Sequence, residues 1–174
     1  MRLRKIASAA LAAAMLAMPA SADVTQNDML VAGRVIGFID SLKRGDVRVG
    51  IVYDPNVAQS SQQAAELNTL MSNGLRIGSL TLKPVLLPIA KLGNGDAGLF
   101  FLTEGLGTQA AGVGRASRDR KIPCITFDLS QVRNGTCAIG VRAQPRIDVV
   151  VNRAAAEASG TVLAAVFRIM ITEI

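Results

Sequence analysis

The chain has 174 residues, with 19 basic and 13 acidic side chains, two cysteines and no histidine. Without histidine, serine–histidine and cysteine–histidine catalytic pairs and the usual His/Cys zinc sites are excluded. Aromatic residues make up 3% of the chain and are not interleaved with basic clusters, so nucleic-acid stacking platforms are not indicated.

The first stretch reads as an address, not as part of the fold. Met1-Arg2-Leu3-Arg4-Lys5 is a positive n-region, Ile6 to Met18 is an apolar, alanine-rich run, and Ala20-Ser21-Ala22 is a small-residue cleavage site. Together they make a secretory signal peptide over residues 1–22. A membrane span needs about 18 apolar residues, and this run is too short. Cleavage after Ala22 removes 22 of 174 residues and leaves 152, enough for one domain over 23–174. Loss of Arg2, Arg4 and Lys5 lowers the basic count from 19 to 16 against 13 acids, so net charge falls from +6 to +3. The expected location is a bacterial periplasm. In that oxidising setting Cys124 and Cys137 read as one disulfide; the spacing is not CxxC, which argues against a redox or metal pair.

Asn27 or Asp28 is placed to cap a first helix whose apolar stripe is Val31, Val35, Phe38 and Leu42, ending near Gly45. A β-branched strand, Val47 to Tyr53, stops abruptly at Asp54-Pro55-Asn56. Ser60 and Gln63 fit a capping box for the next helix, with Ala64, Leu67, Leu70 and Met71 on its apolar face and Asn73-Gly74 as its stop. Leu80 to Leu87 reads as a strand that Pro84 confines to a sheet edge. After a turn at Gly93–Asp96, the continuous apolar run Ala97 to Leu102 reads as a central strand. A Gly-rich helix follows from Thr108 to about Arg118; Arg115, Arg118, Arg120 and Lys121 suit its C-terminal end and read as solvated charges. Ile122 to Phe127 is another strand. Alternation at Cys137, Ile139 and Val141, and again at Ile147, Val149 and Val151, predicts an antiparallel hairpin turning at Ala143–Arg146. Asn152 caps a last helix with an apolar stripe from Ala158 through Val162, Ala165, Val166, Ile169 and Met170, running to Ile174. The predicted order is α-β-α-β-β-α-β-β-β-α: a single three-layer α/β domain, mostly parallel, with a C-terminal hairpin and a terminal helix.

Three polar groups follow predicted strands: Asp54 with Asn56, Thr103 with Glu104, and Asp128 with Ser130. If the strands are parallel, these groups share the carboxyl edge of the sheet, where open α/β folds bind ligands. An acidic rim there suits a cationic or polyhydroxyl solute, with Asp54, Asn56, Ser60, Thr103, Glu104 and Asp128 as candidate contacts. The competing reading makes them helix caps and Asx-turns. Gly105-Leu106-Gly107-Thr108-Gln109-Ala110 fits G-x-G-x-x-A, with Asp128 at the ribose-binding distance. Its place on an inner strand of an exported chain, with Gly112 and Gly114 weakening the helix, argues against a dinucleotide. No spacing singles out a carboxylate pair for acid–base work, so no enzyme, no cofactor and no metal are expected. Asn134-Gly135-Thr136 matches a glycosylation acceptor but reads as a turn.

The C-terminal stretch from Arg146-Ile147-Asp148-Val149-Val150-Val151-Asn152 into Arg153-Ala154-Ala155-Ala156, followed by Gly160 and an apolar end, resembles the YfiR-like family of small periplasmic proteins. The first helix, the 47–53 strand and the hairpin follow that family's order, although Ser41-Leu42-Lys43-Arg44-Gly45 replaces its aromatic-Pro ending. The resemblance implies a non-enzymatic regulator or adaptor that binds the periplasmic domain of a membrane-bound signalling protein, such as a diguanylate cyclase, and that dimerises. No partner-contacting residue carries over. Separately, Val49-Gly50-Ile51-Val52-Tyr53-Asp54-Pro55-Asn56 is similar to the opening of one lobe in periplasmic solute-binding proteins of ABC transporters. That resemblance implies an alternative, a single-lobed solute binder, because a two-lobed clamshell needs nearly twice this length.

Overall fold

The computed structural model describes residues 24–174. The signal-peptide reading falls on residues that lie outside this range, apart from the domain that follows it. A single mixed sheet of eight strands forms the middle layer, in the order β2-β3-β1-β4-β5-β6-β7-β8. Strands β1 (Gly45–Tyr53), β3 (Leu80–Pro88), β4 (Leu99–Leu102), β5 (Cys124–Thr126) and β6 (Ile139–Arg142) run parallel to one another. Strand β7 (Asp148–Val151) pairs antiparallel with β6, so the expected hairpin is present.

Strand alternation sorts the core into two halves. Val47, Val49 and Ile51 of β1 face the helices α1 (Gln26–Gly37) and α2 (Ala58–Met71), together with Leu99 and Phe101 of β4. Val52, Phe100 and Leu102 face the other way, toward α3 (Ala110–Arg120) and α4 (Leu129–Arg133). All four residues of β4 are buried, as a central strand covered on both faces requires. Pro84 lies where β3 is an edge. The three-residue strand β2 (Leu75–Ile77) pairs only with Leu80–Leu82, so nothing outside β3 needs the missing N–H.

Several expectations are corrected. Thr25, not Asn27 or Asp28, caps α1; its hydroxyl accepts from the Asp28 N–H while the Asp28 carboxylate reaches back to Thr25. Helix α2 begins at Ala58, two residues before the expected capping box, so Ser60 and Gln63 lie inside the helix and are buried. The terminal helix is the largest departure. Asn152 does cap it, accepting from the Ala155 N–H at 2.9 Å, but α5 (Arg153–Ala158) stops at Gly160, whose φ is 66°. Glycine supplies that left-handed turn without strain, and helices end there for that reason. One further turn, α6 (Ala165–Arg168), and a short strand β8 (Thr172–Glu173) on the edge of β7 complete the chain.

Cys124 and Cys137 form the expected disulfide, with Cα atoms 4.9 Å apart. It joins the start of β5 to the residues entering β6, across the layer that packs on α3 and α4. Both cysteines are fully buried. Closing a loop of 13 residues lowers the entropy of the unfolded chain by about 3 kcal/mol. Replacing both cysteines by alanine is therefore expected to lower the urea midpoint by that much stability, with the oxidised wild type as reference; an unchanged midpoint would contradict it.

Candidate functional site

Because β1, β4 and β5 are adjacent and parallel, Asp54, Thr103–Glu104 and Asp128 do share one edge of the sheet. The chain leaves β1 through α2 on one face and leaves β4 through α3 on the other, so the carboxyl ends of β1 and β4 flank a topological switch point, where doubly wound sheets usually hold ligands. In this chain that crevice is filled by its own side chains. The Thr103 hydroxyl donates to the Val52 carbonyl at 2.9 Å, so its oxygen must accept the 2.7 Å bond from the Ser60 hydroxyl. The Ser60 oxygen in turn accepts from the Asp54 N–H at 2.9 Å. Asp54, Ser60 and Thr103 are all buried, and the three bonds close a circuit from the end of β1 through α2 and β4 back to β1.

Asp54 is spent as well. One carboxylate oxygen accepts from the Asn56 N–H at 2.9 Å and the other from the Gln109 side chain. Asn56 is exposed on the outside of this Asx-turn. Gln109 belongs to the G-x-G-x-x-A loop, and a side-chain carbon at Gly105 would stand 3.1 Å from the Val57 side chain, so that glycine lets the loop pack closely on the start of α2. Asp128 caps α4 through the Ser130 N–H at 2.9 Å. Asp54 thus makes an Asx-turn and Asp128 a helix cap, whereas Ser60 and Thr103 do neither and serve the buried circuit. Among the described residues every buried side-chain nitrogen and oxygen has a hydrogen-bond partner.

Glu104 is different. It lies in a cleft of about 300 Å³ displaced from the switch point toward β5 and β6, beneath the start of α1. Thr25 and Asp28 come from α1, Gln63 from α2, Phe127 follows β5, and Arg142 and Gln144 come from the hairpin. Gln63 accepts from the Glu104 N–H at 2.7 Å and Gln59 donates to its carboxylate at 2.9 Å. Burial raises the Glu104 carboxyl above the ordinary glutamate range, and the charge of Asp128 adds to the rise; bonds from Gln63 and Gln59 oppose it. Phe127 is held by a tilted contact with Phe101, centroids 5.0 Å apart, and Arg142 pairs with Asp148 at 3.0 Å across the hairpin. Of the six candidate contacts, only Glu104 reaches this cleft.

Thr25, Asp28, Phe127, Arg142 and Gln144 were not among the expected contacts. Gln131 is another residue the sequence does not flag: it accepts from the Thr126 hydroxyl at 2.6 Å and donates to the Thr103 carbonyl at 3.0 Å, fastening α4 to the same rim. Asn134 accepts from the Thr136 N–H at 3.0 Å, the turn expected there. Among the described residues no cluster of three or more His, Cys, Asp or Glu side chains is placed to hold a metal ion, and no helix is long and apolar enough to cross a membrane.

No family model and no curated protein matches the sequence. The comparison with solved structures does find similarity. A conserved domain protein of Vibrio cholerae O1 biovar El Tor aligns with a TM-score of 0.58 at 16% identity, covering 87% of this chain and 60% of that one. A substrate-binding protein with adhesive properties from Clostridium difficile, in its ligand-free, open form, aligns with a TM-score of 0.48 at 13% identity, covering 79% and 56%. The chain thus spans less than two thirds of either protein. At 16% identity and a TM-score of 0.58, the first likeness is one of fold alone.

The hydroxyl circuit has a direct test. Ser60→Ala strands the buried Asp54 N–H and is expected to cost about 1–3 kcal/mol. Thr103→Val leaves the Val52 carbonyl served by the Thr103 N–H at 3.1 Å but removes the acceptor of the buried Ser60 O–H, so a loss of the same size, about 1–3 kcal/mol, is expected. Urea unfolding of both variants checks this; a variant as stable as the wild type would contradict the circuit.

Proposed function

We propose that the domain is a non-enzymatic, single-lobed binder of a small polar solute, held in the cleft between α1 and the rim of β4, β5 and β6. One observation carries this reading. Glu104 presents a half-buried carboxylate to a concave site, its backbone and side chain both fixed by glutamines, beside the aromatic wall of Phe127. A fixed acceptor next to an aromatic face suits a solute with ammonium or hydroxyl donors. The cleft is open on one side, so affinity at a single lobe is modest unless a second surface covers it. The disulfide accords with an exported protein.

A second reading has one observation in its favour. Val162, Val166, Ile169, Met170 and Ile174 are all exposed near the edge strand β8, and Ile169 is 84% exposed. Several exposed apolar side chains within one short stretch of chain fit docking to another protein. This is where a regulatory or adaptor role of the YfiR-like kind, acting on a membrane-associated signalling partner, would find its contact. Crosslinking in cells that recovers a membrane protein, in place of a solute response, would favour this reading.

The sign of Glu104's titration gives the test of the first. A carboxyl raised on folding contributes stability below its unfolded pKa and loses it as pH rises through the folded pKa. Unliganded wild type should therefore lose melting temperature relative to Glu104→Gln as pH climbs through that window. A donor-bearing solute reverses the trend, because it prefers the ionised carboxylate. In a thermal-shift screen of amines and polyols, the stabilisation should grow with pH through the same window and vanish in Glu104→Gln. A solute response that is flat in pH and survives the substitution would overturn this site.

A further inference from the structure

The opposite edge of the sheet, where β1, β4 and β5 begin, carries a second cleft of about 430 Å³. The loops entering those three strands form its walls. Lys43, Arg48, Arg120 and Lys121 line it together with two carboxylates, Asp46 and Asp96. Both carboxylates are already paired, Asp96 with Arg48 at 3.0 Å and Asp46 with Lys83 at 2.5 Å. Lys43, Arg120 and Lys121 have no carboxylate within ion-pair distance among the described residues.

Two of those three cations are held in place by neutral groups. Arg120 donates from Nη1 to the Leu92 carbonyl at 3.0 Å and from Nη2 to the Gly95 carbonyl, and its guanidinium carbon stands 5.8 Å from the centre of the Phe100 ring. Lys121 donates to the Ala158 carbonyl at 2.7 Å. Carbonyls and a ring fix position without cancelling charge, and the remaining N–H donors of both side chains stay free for a ligand. Lys121 has a φ of 53°, the one non-glycine residue among those described with positive φ. Glycine is the usual occupant of that helix-ending position, so a lysine there keeps its charge at the cleft against backbone strain. The negative end of α3 accounts for part of the positive charge, but that partial charge is about half a unit. Lys43 comes from a different loop altogether, the one between α1 and β1.

We propose that this lower cleft binds a multivalent oxyanion, with Arg120 and Lys121 as contacts held by neutral groups and Lys43 as the contact from the facing loop. The chemistry recognised is a phosphate group, presented either by a small soluble phosphate ester or by the headgroup of an anionic lipid. Guanidinium and ammonium donors on rigid supports match phosphate oxygens, and the affinity should fall steeply with salt. No residue is shared with the upper cleft, so this assignment stands or falls apart from the one at Glu104.

The test uses the exported chain with two probes: pyrophosphate in calorimetric titration at constant ionic strength, and sedimentation with phosphatidylcholine vesicles containing or lacking phosphatidylglycerol. The variant is Lys43→Ala with Lys121→Gly, since glycine accepts the left-handed backbone and keeps the fold within reach; its melting curve without ligand confirms that. Wild type should bind pyrophosphate, and the variant should bind at least tenfold more weakly with a shallower salt dependence. Binding confined to the phosphatidylglycerol vesicles, and lost in the variant, supports the cleft and identifies a lipid as the source. Wild type that binds neither probe, or a variant that binds as tightly as wild type, overturns the proposal.

Discussion

The hydrogen-bond circuit Asp54 N–H to Ser60, Ser60 to Thr103, Thr103 to the Val52 carbonyl is the constraint on which the upper rim depends. It lies at the carboxyl ends of β1 and β4, the two strands between which the chain reverses its winding. Buried hydroxyls without partners are costly in a low-dielectric interior, so a closed circuit holds its members in one arrangement. Gln63 extends the fastening to the Glu104 N–H, and Gln131 adds a second fastening from α4 to the Thr103 carbonyl. Helices from both faces are thereby tied to the same strand end. The crevice that this topology usually leaves for a ligand is occupied, and the open cleft lies one strand further along.

The two edges of the sheet differ in chemistry as a result. Above, Glu104 keeps a carboxylate at the base of a small cleft while its neighbour Asp128 is committed to capping α4. Below, the loops into β1, β4 and β5 collect cations whose carboxylate partners are outnumbered. The disulfide and the buried strands β4 and β5 lie between the two clefts, with no exposed residue among the seven of those strands. A rigid central slab of this kind holds each cleft's walls independently of the other.

Much of this architecture is legible in the chain. The β-branched run ending at Asp54, the continuous apolar β4 and the alternating hairpin each have the period of the element they form. Two cysteines without CxxC spacing and without histidine already point to the bridge. The roles of Ser60 and Gln63 were hidden because their spacing also fits a capping box, and only the start of α2 at Ala58 turns them inward. Five-residue α4 and three-residue β2 are too short for any period to show. The apolar spacing from Ala158 to Met170 is that of one helix, but Gly160 overrides it. The cleft around Glu104 was out of reach for another reason. Its walls come from Thr25, Phe127 and Arg142, which are brought together only by the folding of α1 over the hairpin side of the sheet.

The most direct measurement of the central claim is native-state hydrogen exchange at the Asp54 amide. Asp54 follows the last residue of β1 and opens a turn, a position where loop amides exchange readily. With its N–H buried against the Ser60 oxygen, it should instead exchange as slowly as the central amides of β1 and β4, through global unfolding. Exchange at the rate of the neighbouring exposed turn would show that the circuit does not close, and the account of the upper rim would fail with it.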